Sequence, residues 1–199
     1  MSTVLAFDRV EVPPPTTAQI RLRRLSQGLA FLFTALMGLT ALTVTALFVA
    51  GFFLGDHVSI GPEGVTLTFP HPAHAAPGHV LLSSQPFVTH LAGFADIVLA
   101  SVPVFFVCLH LRGLFRLYAS GTVFARENAL HLKHIGMWLV IYPFAKFVAN
   151  AIFRIAGGTD EAWFSGELID ALILGAIVFA IAQVMEFGRE IEQDRAEII

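Results

Sequence analysis

Four long apolar runs separated by polar segments dominate the hydrophobic pattern of the chain. They cover residues 29–54, 87–111, 135–156 and 168–187. Each run is close to the ~20 residues that an α-helix needs to cross ~30 Å of hydrocarbon. Because the runs are continuous and not alternating, they favour helices over a membrane β-barrel. The pattern therefore predicts an all-α membrane protein with four transmembrane helices.

The basic residues between the runs predict the orientation of these helices. The connections after the first and the third run contain no Lys or Arg. Since cytoplasmic loops retain the positive charge, both termini and the central connection are predicted to be cytoplasmic. Short connections favour antiparallel neighbours, hence an up-down-up-down bundle. Ten of the 12 basic residues fit this pattern: Arg9, Arg21, Arg23, Arg24, Arg112, Arg116, Arg126, Lys133, Arg189 and Arg195.

The same pattern divides the chain into three regions. A cytoplasmic segment, residues 1–28, is followed by the transmembrane domain, residues 29–187, and an acidic cytoplasmic tail, residues 188–199. Residues 18–27 are predicted to form a short amphipathic helix at the headgroups. The first run is too long for a cleaved signal peptide, so we expect it to remain as an anchor. With 56% hydrophobic and 14% charged residues, the composition also indicates a membrane protein.

The first outside loop, residues 56–86, is long enough for structure of its own. Residues alternate on both sides of Gly61-Pro62-Glu63-Gly64, which predicts a small β-hairpin. A lone hairpin is marginal in water, so we expect it to rest on the bundle or the membrane. His71, His74 and His79 follow and are weak candidates for metal ligands. A Pro-rich loop does not fix ligand separations, so a solvated loop is the simpler interpretation and no metal site is predicted.

The two remaining basic residues, Lys146 and Arg154, fall inside the third run. An unpaired ammonium there costs ~2.5–3.5 kcal/mol on insertion scales, so Lys146 needs a partner or water. Counted from the outer helix ends at ~1.5 Å per residue, Asp96 lies at nearly the same depth. We therefore predict an Asp96–Lys146 pair at the centre of an inward-facing polar cluster in the outer half of the bundle. The further members of this cluster are Asn150, Arg154, Glu167 and Asp170.

Three roles for this cluster remain open at this stage. Polar groups hold membrane helices in register, because lipid supplies no hydrophobic drive between them. The same residues also suit a ligand-binding or sensing pocket open to the outside, or an ion path. An ion path would need polar residues in the inner half as well, where the sequence offers little beyond Gln183 and Glu186.

Other motifs are weak. His110, His131 and His134 gather at the inner boundary, where a pair from two helices could ligate haem; interfacial histidines are ordinary, so no cofactor is predicted. Gly51-x-x-x-Gly55 matches a helix-packing pattern that suits either packing within the chain or a homo-oligomer. Nucleotide-binding, serine-hydrolase and metalloprotease motifs are absent, which favours a non-enzymatic protein.

Two stretches resemble a bacterial membrane family known only as domain of unknown function twenty-nine seventy-five. The first stretch carries Gly121, Phe124, Asn128, Leu132 and Gly136 around the start of the third helix. The second, residues 170–199, has an acidic start, an apolar span and an acidic tail after Phe187-Gly188-Arg189. The resemblance covers roughly residues 25–199. It implies four spans and no established chemistry.

Members of that family are often encoded beside a small Cro/C1-type helix-turn-helix regulator, so the resemblance implies a transcription factor as a partner. The expected partner surface is cytoplasmic and consists of Gly121, Phe124, Asn128 and Leu132. The sequence thus predicts a sensory or regulatory inner-membrane protein that contacts lipid and a cytoplasmic protein, without binding nucleic acid directly. The alternative is a small transporter or channel subunit that uses the charges of Asp96 and Lys146.

Overall fold

Four long α-helices make up most of the chain in the computed structural model, which describes residues 17–53, 57–61, 64–67, 80–84, 86–122, 125–157 and 166–197. Helix α1 spans Thr17–Phe53, α2 Phe87–Ala119, α3 Arg126–Ile155 and α4 Gly166–Glu197. All four contain stretches long and apolar enough to cross a membrane. The prediction of four helices, each able to span a membrane by its length and composition, is confirmed.

The helices are longer than the apolar runs that predicted them. Helix α1 has 37 residues, and residues 18–27 continue directly into its apolar part without a separate amphipathic helix. Helix α2 ends in a turn at Ser120-Gly121-Thr122. Gly121 has a φ of +89°, a left-handed conformation that glycine adopts without steric cost. The end of α2 is therefore defined by this turn.

A small antiparallel sheet follows α1 and precedes α2 along the chain. Its strands are β1 at Val58–Gly61, β2 at Gly64–Leu67 and β3 at Val80–Leu81, in the order β2-β1-β3. Val58 is opposite Leu67 in β1 and β2, and Ser59 is opposite Leu81 in β3. The β1–β2 pairing falls on the residues whose alternation predicts a hairpin. A 3₁₀ turn at Leu82–Ser84 follows β3.

Each helix packs on the next one along the chain: α1 on α2, α2 on α3, and α3 on α4. Within the described ranges, α1 and α4 do not pack on each other in a comparable way. The helices form an open row, in contrast to a four-helix bundle in which the first and last helices meet. The faces of α1 and α4 that point away from α2 and α3 are therefore not covered by the described part of the chain.

Aromatic rings contact each other at two places between α1 and α2. The Phe94 ring of α2 lies 4.9 Å from that of Phe48 and 5.5 Å from that of Phe52, measured between ring centroids. Nearer the other end, Phe33 stacks on Phe115 at 5.7 Å. A Cβ atom on Gly51 would overlap the Phe94 ring. Gly51 therefore serves packing within the chain, and Gly55 lies outside the described residues.

Candidate functional site

An ion pair joins α2 to α3, nine residues after the start of α2 and nine residues before the end of α3. Lys146 Nζ lies 2.9 Å from Asp96 Oδ1 and 3.0 Å from Oδ2, so the ammonium donates to both carboxylate oxygens. The side chains are partly buried, with exposed fractions of 29% for Lys146 and 25% for Asp96. The structure thus brings together the two charges that depth counting predicts to pair.

The ion pair lies beside a weakened turn of α3. Pro143 is inside this helix, three residues before Lys146. Because proline has no backbone N–H, the carbonyl of Leu139 loses its usual helical partner. A helix bends more easily at such a point than elsewhere. A small change in the bend of α3 therefore changes the distance between the two charges.

The rest of the predicted cluster is only partly assembled. Asn150, one turn from Lys146, is buried with 6% of its surface exposed. The inward-facing prediction is wrong for Arg154 and Asp170, which are both exposed. Arg154 is next to last in α3, where it can reach the interface. The side chain of Glu167 lies outside the described part of the chain.

The direction of Asp170 follows from the face through which α4 packs. Leu168, Gly175 and Ala182 are buried and lie seven residues apart, so they mark one side of the helix. Asp170 is two residues after Leu168, roughly 200° around the axis. It therefore points away from α3, in the first turns of α4.

A hydrogen bond that the sequence did not predict joins the start of α2 to the end of α3. Thr89 Oγ1 donates to the backbone oxygen of Ala156 at 2.8 Å, and Thr89 is only 1% exposed. Ala156 follows the last residue of α3, so this bond satisfies a carbonyl that has no partner within its helix. The sequence contained one signal for this bond: Thr89 lies in the first turn of α2, at the same depth as the end of α3.

Three histidines meet at the opposite end of α2 and α3. His110 Nδ1 lies 3.2 Å from His131 Nδ1. The His110 ring also stacks on His134, with 4.7 Å between centroids and 15° between planes. His131 packs directly over Gly113, where any Cβ atom would overlap its ring. The third level of contact between α2 and α3 is therefore a group of three imidazoles in which His110 contacts the other two.

The residues of the predicted partner surface differ in how exposed they are in the structure. Asn128 is fully buried and donates from Nδ2 to the Thr122 backbone oxygen at 2.8 Å, which ties the start of α3 to the turn after α2. Because Asn128 is buried, it does not lie on an exposed surface as predicted. Gly121 is exposed and Leu132 is half-buried. Phe124 lies outside the described residues.

The weak metal candidates of the outer loop, His71, His74 and His79, lie outside the described residues. Within the described ranges, no group of three or more His, Cys, Asp or Glu side chains is arranged to hold a metal ion.

Comparison with known proteins identifies a family without an assigned activity. No curated protein and no solved structure matches the chain. One family matches residues 68–199, which include α2, α3 and α4 with the ion pair and the three histidines. The match begins later than the expected residue 25, so α1 and its arginines lie outside it. Since this match spans more than half of the chain, the protein belongs to a family of proteins of unknown function (DUF2975), the one that its motifs resemble.

Proposed function

We propose that the chain is a non-enzymatic regulatory protein of the bacterial cytoplasmic membrane, with both termini in the cytoplasm. The distribution of Lys and Arg supports this orientation. In this proposal α2 and α3 form a fixed unit, and α4 moves against it in response to the state of the membrane or to a ligand.

The observation that carries the proposal is the different way in which α2 and α4 attach to α3. Polar contacts bind α2 at three levels: Thr89 to Ala156, Asp96 to Lys146, and His110 to His131. In contrast, α4 meets α3 where two glycines, Gly136 and Gly175, face each other. Hydrogen bonds and ion pairs fix one geometry, whereas smooth backbone contacts allow packed helices to slide.

The length of α4 suits a helix that carries a movement from the membrane to the cytoplasm. The helix has 32 residues and ends at Glu197, ten residues after the last apolar run. At ~1.5 Å per residue it is longer than the ~30 Å hydrocarbon core. A movement of α4 against Gly136 would therefore reach the cytoplasm.

We therefore place the proposed partner surface on the exposed side of the first turns of α3. Leu130 is 41% exposed there, between charged neighbours. The exposed residues of this surface are spaced so that they share one side of the helix. They are Arg126, Glu127, Leu130 and Lys133. A small helix-turn-helix regulator is the partner that the family resemblance suggests.

The alternative function is a small transporter or channel subunit. The specific observation in its favour is the Asp96–Lys146 pair, since ionisable groups at this depth often belong to ion or proton pathways. The two functions differ in what the ion pair must do. Transport requires the charges to separate during each cycle, whereas regulation requires only that α4 changes position.

The test compares transcripts in cells with the wild-type chain, with the gene deleted, and with Gly175→Leu. We expect deletion to change a defined set of transcripts. Gly175→Leu, inserted at the wild-type level, should reproduce the change because leucine displaces α4 from α3. Gly38→Leu is the matched control, since a Cβ atom on Gly38 has nothing within 4 Å.

Two results would contradict the regulatory proposal. One is a transcript pattern that deletion leaves unchanged. The other is ion flux in proteoliposomes that contain the purified chain alone and that Lys146→Met abolishes. The second result would assign the transport function.

A further inference from the structure

A cleft between the first turns of α1 and the last turn of α2 has no role in the function proposed above. It encloses about 490 Å³, within the ~300–1,000 Å³ that is usual for small-molecule sites. Its polar lining residues are Gln19, Arg23, Arg24, Gln27, Tyr118 and Ser120.

The polar side chains of the cleft suit an anionic group. Gln19, Arg23 and Gln27 follow one another at four-residue intervals, so they lie along one side of α1. Arg24 adds a second guanidinium. Guanidinium groups bind phosphate oxygens through two parallel hydrogen bonds. None of the described residues that line the cleft is acidic, so no carboxylate there competes for the arginines.

The wall of the cleft on α2 is held in place by aromatic contacts. Tyr118 packs edge-on against Phe115, with 5.9 Å between ring centroids. Phe115 in turn stacks on Phe33 of α1 at 5.7 Å. The separation of the two helices at this end is therefore set by fixed rings, and the cleft is preformed.

The depth of the cleft indicates where its ligand comes from. The apolar run of α1 begins at residue 29, so the cleft lies at the level of the lipid headgroups. Ile20 and Leu22 contribute apolar lining. Phe31 and Leu32, which follow toward the hydrocarbon, are 75% and 48% exposed. A ligand with an anionic head and apolar tails matches this arrangement better than a free anion does.

We propose that this cleft binds the phosphate group of an anionic phospholipid. Basic pockets between membrane helices at headgroup level are a known way to recognise such lipids. The proposal depends neither on the regulatory function nor on the orientation of the chain, because it applies to whichever leaflet surrounds the cleft.

The test is a lipid titration of the delipidated full-length chain in detergent, followed by native mass spectrometry. We expect one phosphatidylglycerol molecule to bind more tightly than phosphatidylcholine, whose headgroup has no net charge. Arg23→Gln/Arg24→Gln should weaken phosphatidylglycerol binding about tenfold or more, because two charge-assisted contacts are lost.

The matched control is Arg21→Gln/Arg116→Gln. It removes the same charge from the same ends of α1 and α2, and neither residue lines the cleft. This control should keep the wild-type affinity. An equal loss in both double variants would overturn the proposal, because it would show general attraction to the basic surface.

Two further measurements complete the test. Inorganic phosphate at millimolar concentration should not displace the lipid; displacement would assign the cleft to soluble phosphate and overturn the lipid source. Tyr118→Phe removes one hydroxyl from the cleft and keeps the ring contact with Phe115, so it covers the case in which the double arginine variant fails to fold. Unchanged phosphatidylglycerol affinity in Tyr118→Phe would then overturn the proposal.

Discussion

Gly136 of α3 and Gly175 of α4 face each other with their backbones in direct contact. A Cβ atom on Gly136 would lie 2.9 Å from the Gly175 oxygen, and one on Gly175 would lie 3.0 Å from the Gly136 oxygen. Both distances are shorter than ordinary van der Waals contact, and the atoms they meet belong to the backbone. Any side chain at either position must therefore push the two helices apart.

The first prediction is that Gly136→Ala and Gly175→Ala each destabilise the chain by ~1–3 kcal/mol, as overpacked substitutions do. The measurement is the free energy of unfolding, obtained in detergent or by denaturant titration in bicelles. Gly38→Ala in α1 is the control, because open space surrounds it and alanine favours a helix by ~1 kcal/mol. Equal effects at Gly38 and Gly175 would show that the contact between the glycines has no energetic weight.

The second prediction is that Asp96 and Lys146 are energetically coupled. Asp96→Asn and Lys146→Met should each destabilise the chain, and the double variant should cost less than the sum of the two. We expect a coupling energy of ~1–2 kcal/mol, since the pair is half-buried and its members have no comparable partner in lipid. Measured unfolding free energies of the four variants give this value directly.

Asp170→Asn combined with Lys146→Met is the matched control for this cycle. Asp170 carries the same charge as Asp96 and is exposed on the far side of α4. Its effect should add to that of Lys146→Met within experimental error. A coupling energy as large for Asp170 as for Asp96 would contradict a specific ion pair.

The contrast between Asp96 and Asp170 shows what could be predicted from the sequence. Depth along a membrane helix follows from a constant rise per residue, so the level of both carboxylates could be counted from the helix ends. Rotation about the helix axis depends on the neighbouring helix, and the sequence does not show which face that neighbour covers. Asp96 was therefore placed correctly, whereas Asp170 was expected to face inward and does not.

The same limit explains two contacts that the sequence did not predict. The Thr89–Ala156 hydrogen bond and the Gly136–Gly175 crossing both require knowing which helices are neighbours and how they are rotated. Asn128 was assigned to a surface because its motif precedes a membrane span. Its burial depends on the path of the turn at Thr122, which has no periodic pattern in the sequence.

The third prediction separates the structural role of Asn128 at the turn between α2 and α3 from the proposed contact role of Leu130. Asn128→Ala should lower the free energy of unfolding by ~1–3 kcal/mol, because Thr122 loses its buried hydrogen-bond donor. Leu130→Asp should leave stability nearly unchanged, since Leu130 is 41% exposed. Only Leu130→Asp should alter the transcript pattern while the chain stays at its wild-type level in the membrane. A stable Asn128→Ala variant that abolishes regulation would reverse this assignment.

The last prediction concerns the hydrogen bond between His110 and His131. A bond between two Nδ1 atoms needs one ring to donate and the other to accept through an unprotonated nitrogen. It is therefore lost when both rings are protonated, and the cation on each then repels the other and the stacked His134 ring. Stability from this contact is present above the ordinary imidazole pKa of ~6.5 and is lost as the pH falls below it.

We expect the melting temperature of the detergent-solubilised chain to fall between about pH 7.5 and pH 5. His131→Gln cannot titrate at this position, so its melting temperature should depend less on pH than that of the wild type. His57→Gln, in the segment between α1 and α2, is the control and should keep the full wild-type dependence. An identical decrease in the wild type and in His131→Gln would place the acid sensitivity elsewhere in the protein, because the histidine contact would then contribute nothing to it.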